Sequence, residues 1–192
     1  MKKTLFLSLI LLTFSMSISA QIWLGGELAV KNNATSLGEL EMNKKSSVEI
    51  MPEAGWNLSD KWAIGLQLGF SHFSQGQISI IDQTVTGNIN IFSIKPFTRY
   101  TFYKIDKFSF FTDAGIGFKS ISISDYDTIY GIGITINPGL SYDINHKWSL
   151  VAHIGNTGYE HTWMKLRNET LKDDNFKLEL FSGLSFGLFL KL

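Results

Sequence analysis

Cysteine is absent from the 192 residues. That excludes a disulfide framework, a thiolate metal site and a cysteine nucleophile. Gln21 stands where a lipoprotein would need its lipidated cysteine. Proline appears only three times, and charge of one sign is not in excess, since 17 basic residues face 17 acidic ones. Neutralising phosphates takes a surplus of Lys and Arg, so nucleic acid is not an expected partner. After residue 20 no stretch of about 18 consecutive apolar residues occurs, so no membrane-spanning helix is expected there. Motifs with defined chemistry are missing too. Gly115-x-Gly117 and Gly131-x-Gly133 lack the strand-to-helix context of a dinucleotide site. His146, His153 and His161 are spaced along a strand and its loop and do not converge like zinc ligands. No cofactor, metal site or catalytic residue is expected.

The first twenty residues read MKKTLFLSLILLTFSMSISA. Lys2 and Lys3 make a positive start, Leu5 to Met16 an apolar stretch, and Ser17-Ile18-Ser19-Ala20 a small-residue end. This is the pattern of a secretory signal peptide over 1–20, expected to be cleaved after Ala20. The domain to be folded is then 21–192, with 192 − 20 = 172 residues. Glycine is abundant at 17, and aromatics reach 14%. Many glycines and aromatics with little proline suit a β-protein with many turns.

Alternation confirms strands. In Trp62-Ala-Ile64-Gly-Leu66-Gln-Leu68-Gly-Phe70-Ser-His72, large apolar residues hold the even positions and small or polar ones the odd. A period of two sends these sets to opposite faces. The same pattern fills 132–142 and 176–192, with weaker runs near 22–30, 47–58, 89–102, 108–119 and 147–158. The eight runs are joined alternately by long and short connections. Long ones fall at 31–46, 73–88, 120–131 and 159–175; short ones are Ser59–Lys61, Tyr103–Lys107 and Asn145–Lys147. Transmembrane barrels have short periplasmic turns and longer outer loops. The expectation is an all-β, eight-stranded antiparallel up-and-down transmembrane barrel with both termini periplasmic.

An internal repeat supports this. Pro52…Trp56 precedes Trp62, Pro96…Tyr100 precedes Phe108, and Pro138…Tyr142 precedes Trp148, each across a short turn. The recurring proline predicts a bulge or bend at one level, since proline removes a ladder donor. Trp56, Trp62, Tyr100, Phe108, Tyr142 and Trp148 are expected to form an aromatic girdle at the periplasmic interface.

These residues resemble the small outer-membrane β-barrels of the OmpA/OmpX type, and more closely the outer-membrane β-barrel domain family in which P-x-x-x-[WY] hairpins recur. The resemblance covers 22–192. Ser185-Phe-Gly187-Leu-Phe-Leu190-Lys-Leu192 is similar to that family's C-terminal assembly signal, although Leu192 stands where an aromatic is usual. The resemblance implies the outer membrane of a Gram-negative bacterium. It also implies barrel-assembly machinery as a partner during insertion, and surrounding outer-membrane lipid and lipopolysaccharide.

The odd faces should point inward, carrying Glu27, Glu49, Glu53, Gln67, Lys95, Arg99, Asp113, Asn137, Asp143, His153 and Glu179. Eight strands leave room only for side chains, and buried charges must pair. A packed ionic network is expected, with Lys95 and Arg99 bridging Glu27, Glu53, Asp113 or Glu179. The functional expectation is a structural or surface-interaction role, not an enzyme. A surface ligand would bind through the outer loops, where 73–88 could prolong a hairpin and offer strand edges. Three alternatives remain open. One is a narrow porin-like channel. Another is a lipid-modifying enzyme using His72 with Ser71 or Ser74, or His161 with Glu160. The third is a soluble lipocalin-like barrel with the even, apolar face turned inward.

Overall fold

The computed structural model describes residues 22–31, 35–37, 40–43, 47–80, 83–123, 128–166 and 169–192, without the side chains of 30–48, 74–87, 165–171 and 177–183. The expected signal peptide lies outside the described residues. The strands are β1 (Ile22–Lys31), β2 (Thr35–Leu37), β3 (Leu40–Asn43), β4 (Ser47–Asn57), β5 (Trp62–Ile80), β6 (Gln83–Ile105), β7 (Phe108–Ile123), β8 (Ile129–Asp143), β9 (Trp148–Leu166) and β10 (Glu169–Lys191). Eight of them pair antiparallel in the cycle β1-β4-β5-β6-β7-β8-β9-β10, and β10 returns to β1. The barrel is closed. The short β2–β3 hairpin joins its rim, where Met42 pairs with Ile78 of β5.

Register shows how the barrel closes. Cross-strand partners starting at Phe110 run through Leu140, Ala152, Phe186, Leu28, Ile50, Phe70 and Phe92 to Ser120. The path returns to β7 further along by 120 − 110 = 10 residues. Strands in such a barrel are strongly tilted, and its interior is only wide enough to be filled by side chains.

Three tight turns close one end. Ser59 Oγ accepts from Trp62 N at 3.1 Å, and Asn145 Oδ1 accepts from Trp148 N at 2.9 Å, so a short polar side chain anchors each of these turns. In the third, Asp106 takes the left-handed conformation at φ 48°, which Asp tolerates. At the opposite end the hairpin prolongation read within 73–88 forms, while 120–131 and 159–175 differ from the long loops expected. There β5 and β6 stay paired from Gly76–Gly87 to Ile80–Gln83, and β9 and β10 from Tyr159–Phe176 to Leu166–Glu169. Only 124–128 separate β7 from β8. Crossing a bilayer takes a strand of about 9–11 residues. At 19, 23, 19 and 23 residues, β5, β6, β9 and β10 overrun that length and stand out as hairpins.

The proline expectation needs correction. A register shift accompanies Pro138, between Ile136 and Gly139. At Pro52 and Pro96 the ladder toward the next strand skips the proline without changing register. Proline there costs one rung, not a bulge.

Large apolar residues of the even positions face outward: Ile116 is 56% exposed, Ile134 61% and Phe186 63%. The odd positions turn Glu27, Glu53, Asp113 and His153 into a buried interior. An apolar outside around a charged inside demands an apolar medium. The lipocalin-like alternative, with its apolar face inward, is thereby overturned.

Candidate functional site

The barrel interior is the most developed site. Arg99 on β6 grips Asp113 on β7 with two bonds of 2.7 Å, from Nε and from Nη2. Its Nη2 also donates to Glu53 Oε1 on β4 at 3.1 Å, and Gln67 on β5 donates to the other Glu53 oxygen at 2.7 Å. His153 on β9 spans the lumen, with Nε2 2.9 Å from Asp113 and Nδ1 2.9 Å from Glu27 on β1. Only the doubly protonated ring can donate to both carboxylates. Ser185 on β10 donates its hydroxyl to Glu27. One chain of bonds thus crosses seven of the eight barrel strands. Its charges survive burial because each has partners.

A second layer backs the first. Trp23, Phe97, Phe111, Val151 and Phe189 form a buried cluster, and the Arg99 guanidinium lies 4.1 Å from the Phe111 ring centre and 5.0 Å from that of Trp23. Each ring covers a glycine directly across the ladder: Trp23 on Gly55, Phe97 on Gly65, Phe111 on Gly139, Phe189 on Gly25. A Cβ at any of these glycines would overlap the ring. So narrow a barrel holds large rings only opposite missing side chains.

A cavity of about 490 Å³ reaches from this aromatic layer to the tight turns, lined by Ser59, Lys61, Arg99, Lys104 and Asp143 among others. Another, of about 200 Å³, lies beyond the ionic chain and is lined by Glu27, Lys95, Asn137, Asn156 and Glu160. Glu27 Oε1, Asn137 Oδ1 and Asn156 Oδ1 are buried without a protein partner, and this cavity has room for water to satisfy them. Toward the hairpin end Phe73, Ile89, Ile121, Ile123, Ile129 and Met164 form a separate apolar cluster.

A charged, packed lumen inside an apolar wall is the arrangement of a small membrane barrel, and comparison with known proteins agrees. The family model described as "Outer membrane protein beta-barrel domain" matches residues 5–180. The chain belongs to this family. Neisserial surface protein A is similar in fold, with TM-score 0.54 and 13% identity over 91% of this chain and 100% of that one. Ail, the attachment invasion locus protein of Yersinia pestis, aligns at TM-score 0.44 and 12% identity over 90% of this chain and 97% of its own. No curated protein sequence matches. As a member of the outer-membrane barrel family, the chain is assigned to the outer membrane of Gram-negative bacteria.

Within this outer-membrane barrel the sequence-expected residues fall as follows. Arg99, Glu53, Asp113 and Glu27 meet in the ionic chain, but Lys95 does not: it lines the smaller cavity and has no ion pair among the described residues. The Glu179 side chain lies outside the described residues. His153 takes the bridging place expected of Lys95. Sequence marked His153 as inward-facing but gave no signal of its partners. Of the girdle residues, Trp62 and Tyr100 pack at 4.6 Å and Phe108 and Tyr142 at 4.9 Å between ring centres. Trp148 is 38% exposed beside them, while Trp56 is half-buried.

The C-terminal residues also serve the lumen. Gly187 lies opposite Glu27, whose side chain would collide with a Cβ there, and Ser185 binds Glu27. Leu192 donates its N–H to the Ile22 carbonyl at 2.8 Å, and Leu190 pairs with Leu24.

The histidine–serine arrangements weighed from sequence do not form among the described residues. His72 bonds Asn90 at 2.7 Å and faces outward while Ser71 faces the other way. The side chain of Ser74 lies outside the described residues. Glu160 pairs inside with Lys119, and His161 pairs outside with Asp174 at 2.7 Å. Neighbours on a strand point to opposite faces, so adjacency in sequence separated these two.

Proposed function

We propose that this barrel is a non-enzymatic surface-interaction protein, held with its tight turns and both termini in the periplasm and its hairpins outside. The observation that carries this reading is the overrun of β5–β6 and β9–β10 past the length a bilayer requires. Beyond the wall β5 and β6 remain paired to Ile80–Gln83, and β9 and β10 to Leu166–Glu169. Lipid gives no reason to prolong them. Protruding strands offer backbone edges and side chains to a partner, while the packed lumen serves as their support.

The chain has no cysteine, so single introduced cysteines report orientation cleanly. Thr84→Cys should react with an impermeant maleimide on intact cells, and Asp60→Cys should not. The reverse pattern would sink the orientation. Deleting residues 76–86 should abolish adhesion of expressing cells to host-cell or matrix surfaces while the unboiled protein keeps its shifted band on a gel. Adhesion persisting after the deletion would remove this hairpin from the role.

A further inference from the structure

The charges enclosed in the lumen do not balance. The ionic chain holds three carboxylates, Glu27, Glu53 and Asp113, and the smaller cavity beyond it is lined by two more, Glu49 and Glu160. Against these stand Arg99 and the doubly protonated His153 in the chain, with Lys95 and Lys119 at the cavity. Among the described residues five negative groups thus face four positive ones. Glu160 is paired with Lys119, so the deficit lies on the side of Glu27. An uncompensated charge inside a barrel is costly, and the interior is one positive charge short.

The same cavity gathers bare oxygens. Glu27, Asn137 and Asn156 line it, and Glu27 Oε1, Asn137 Oδ1 and Asn156 Oδ1 are buried and accept from no protein donor. Glu27 is only 1% exposed. The register shift between β8 and β9 builds the place: Asn137 and Pro138 of β8 stand against Ile154, Gly155 and Asn156 of β9. A bulge re-aims side chains, and this one brings amides from two adjacent strands to the cavity, with Glu27 reaching in from β1. Room is kept beside them. Rings fill the lumen opposite four other glycines, but a Cβ on Gly117, directly across from Gly133, would meet nothing within 4 Å.

We propose that this cavity is a binding site for a monovalent alkali cation, held by Glu27 Oε1, Asn137 Oδ1 and Asn156 Oδ1 with water in its remaining positions. Hard cations take oxygen ligands. One carboxylate with two neutral amide oxygens suits a single charge, and no group of three His or acidic side chains offers a place for a more highly charged metal among the described residues. Water satisfies such oxygens but brings no charge. Lys95 lines the same cavity and is already counted. The aromatic layer and the aliphatic cluster close the lumen on either side, so the ion enters as the barrel folds and exchanges slowly afterwards.

Wild-type protein and the Asn137→Leu, Glu27→Gln and Ile116→Ala variants would be folded into lipid vesicles in sodium, potassium or choline chloride at one ionic strength, then unfolded by urea in the same salt. As choline replaces the alkali cation, the wild-type folded-to-unfolded ratio should fall about tenfold for each tenfold drop in that cation above its dissociation constant. Ile116→Ala, changed on the outer wall, should keep this dependence. Asn137→Leu, which removes a ligand but no charge, should lose most of it, and so should Glu27→Gln. Wild-type crystals grown with thallium(I) acetate in place of sodium salts should show an anomalous peak within bonding distance of Glu27, Asn137 and Asn156, a readout that needs no variant to fold. Equal stability in the three salts, or thallium missing from the cavity, would overturn the site and leave a proton on one of the five carboxyls as the missing charge. Full cation dependence in Asn137→Leu would overturn the ligand set.

Discussion

At the scale of single residues the lumen is governed by a rule of partners. Asp113 receives two bonds from Arg99 and one from His153. Removing a member that is another's only counter-charge leaves a buried charge unpaired, which typically costs about 3–5 kcal/mol. Among the described residues Arg99 is the one cation bonded to Glu53. We therefore expect Arg99→Met to lower unfolding stability by about 3–5 kcal/mol in urea titrations of protein in lipid vesicles. The double change Arg99→Met with Glu53→Gln should cost less than the single one, because it removes both charges while Asp113 keeps its bond from His153. A double variant as unstable as Arg99→Met would show that packing, not pairing, sets the loss. Sequence parity placed most of these side chains inside. It could not say which would meet. Glu27 and His153 are 126 positions apart, and meet because each turn around the barrel displaces a row of partners by ten residues. Parity gives the face; the height of one strand against another is set by closure. Lys95 and His153 were confused for that reason.

At the scale of elements, the eight strands and their three tight turns were legible, because the apolar medium on one side and the packed lumen on the other enforce a period of two. Of the hairpin extensions, the one within 73–88 was legible, since apolar residues recur at Ile78 and Ile80; the one at 159–175 was not. Past the bilayer both faces of a strand meet water, alternation is no longer enforced, and 159–175 reads as a loop. The register shift between β8 and β9 falls at Pro138, where the recurring proline marked a bulge or bend, but the change of parity it imposes on β9 had no signal in composition. The depth of each strand is open to test on β8. Ile136 is 51% exposed on the wall, and Ile136→Arg should cost about 2–4 kcal/mol near the bilayer midplane. Tyr130→Arg on the same strand should cost only about 0–1 kcal/mol, because Tyr130 lies past the apolar band. Equal costs measured by unfolding in vesicles would place the band elsewhere.

At the scale of the molecule, the lumen is closed at several levels. The aromatic layer around Trp23 and Phe111, the ionic chain, and the aliphatic cluster around Ile89 and Ile123 lie in succession along it. Ions crossing would have to pass two apolar constrictions, where stripping their water is expensive. The purified barrel should therefore pass no resolvable current in planar bilayers. Arg99→Gln should not open it, since the aliphatic cluster around Ile89 and Ile123 does not include that charge. Discrete channels in wild type, or channels appearing with Arg99→Gln, would restore the porin-like alternative.

The meeting of β1 and β10 has a consequence for biogenesis. Their ladder runs from Trp23–Lys191 to Ala29–Ser185, and the Ser185 hydroxyl reaches Glu27 across 158 positions of chain. Glu27 is among the most deeply enclosed side chains of the protein and lies on β1; Ser185 lies on β10. A nascent barrel missing its final strand would present Glu27 at an open seam, unsheltered and short of one donor. β10 therefore decides whether the charged lumen is sealed at all.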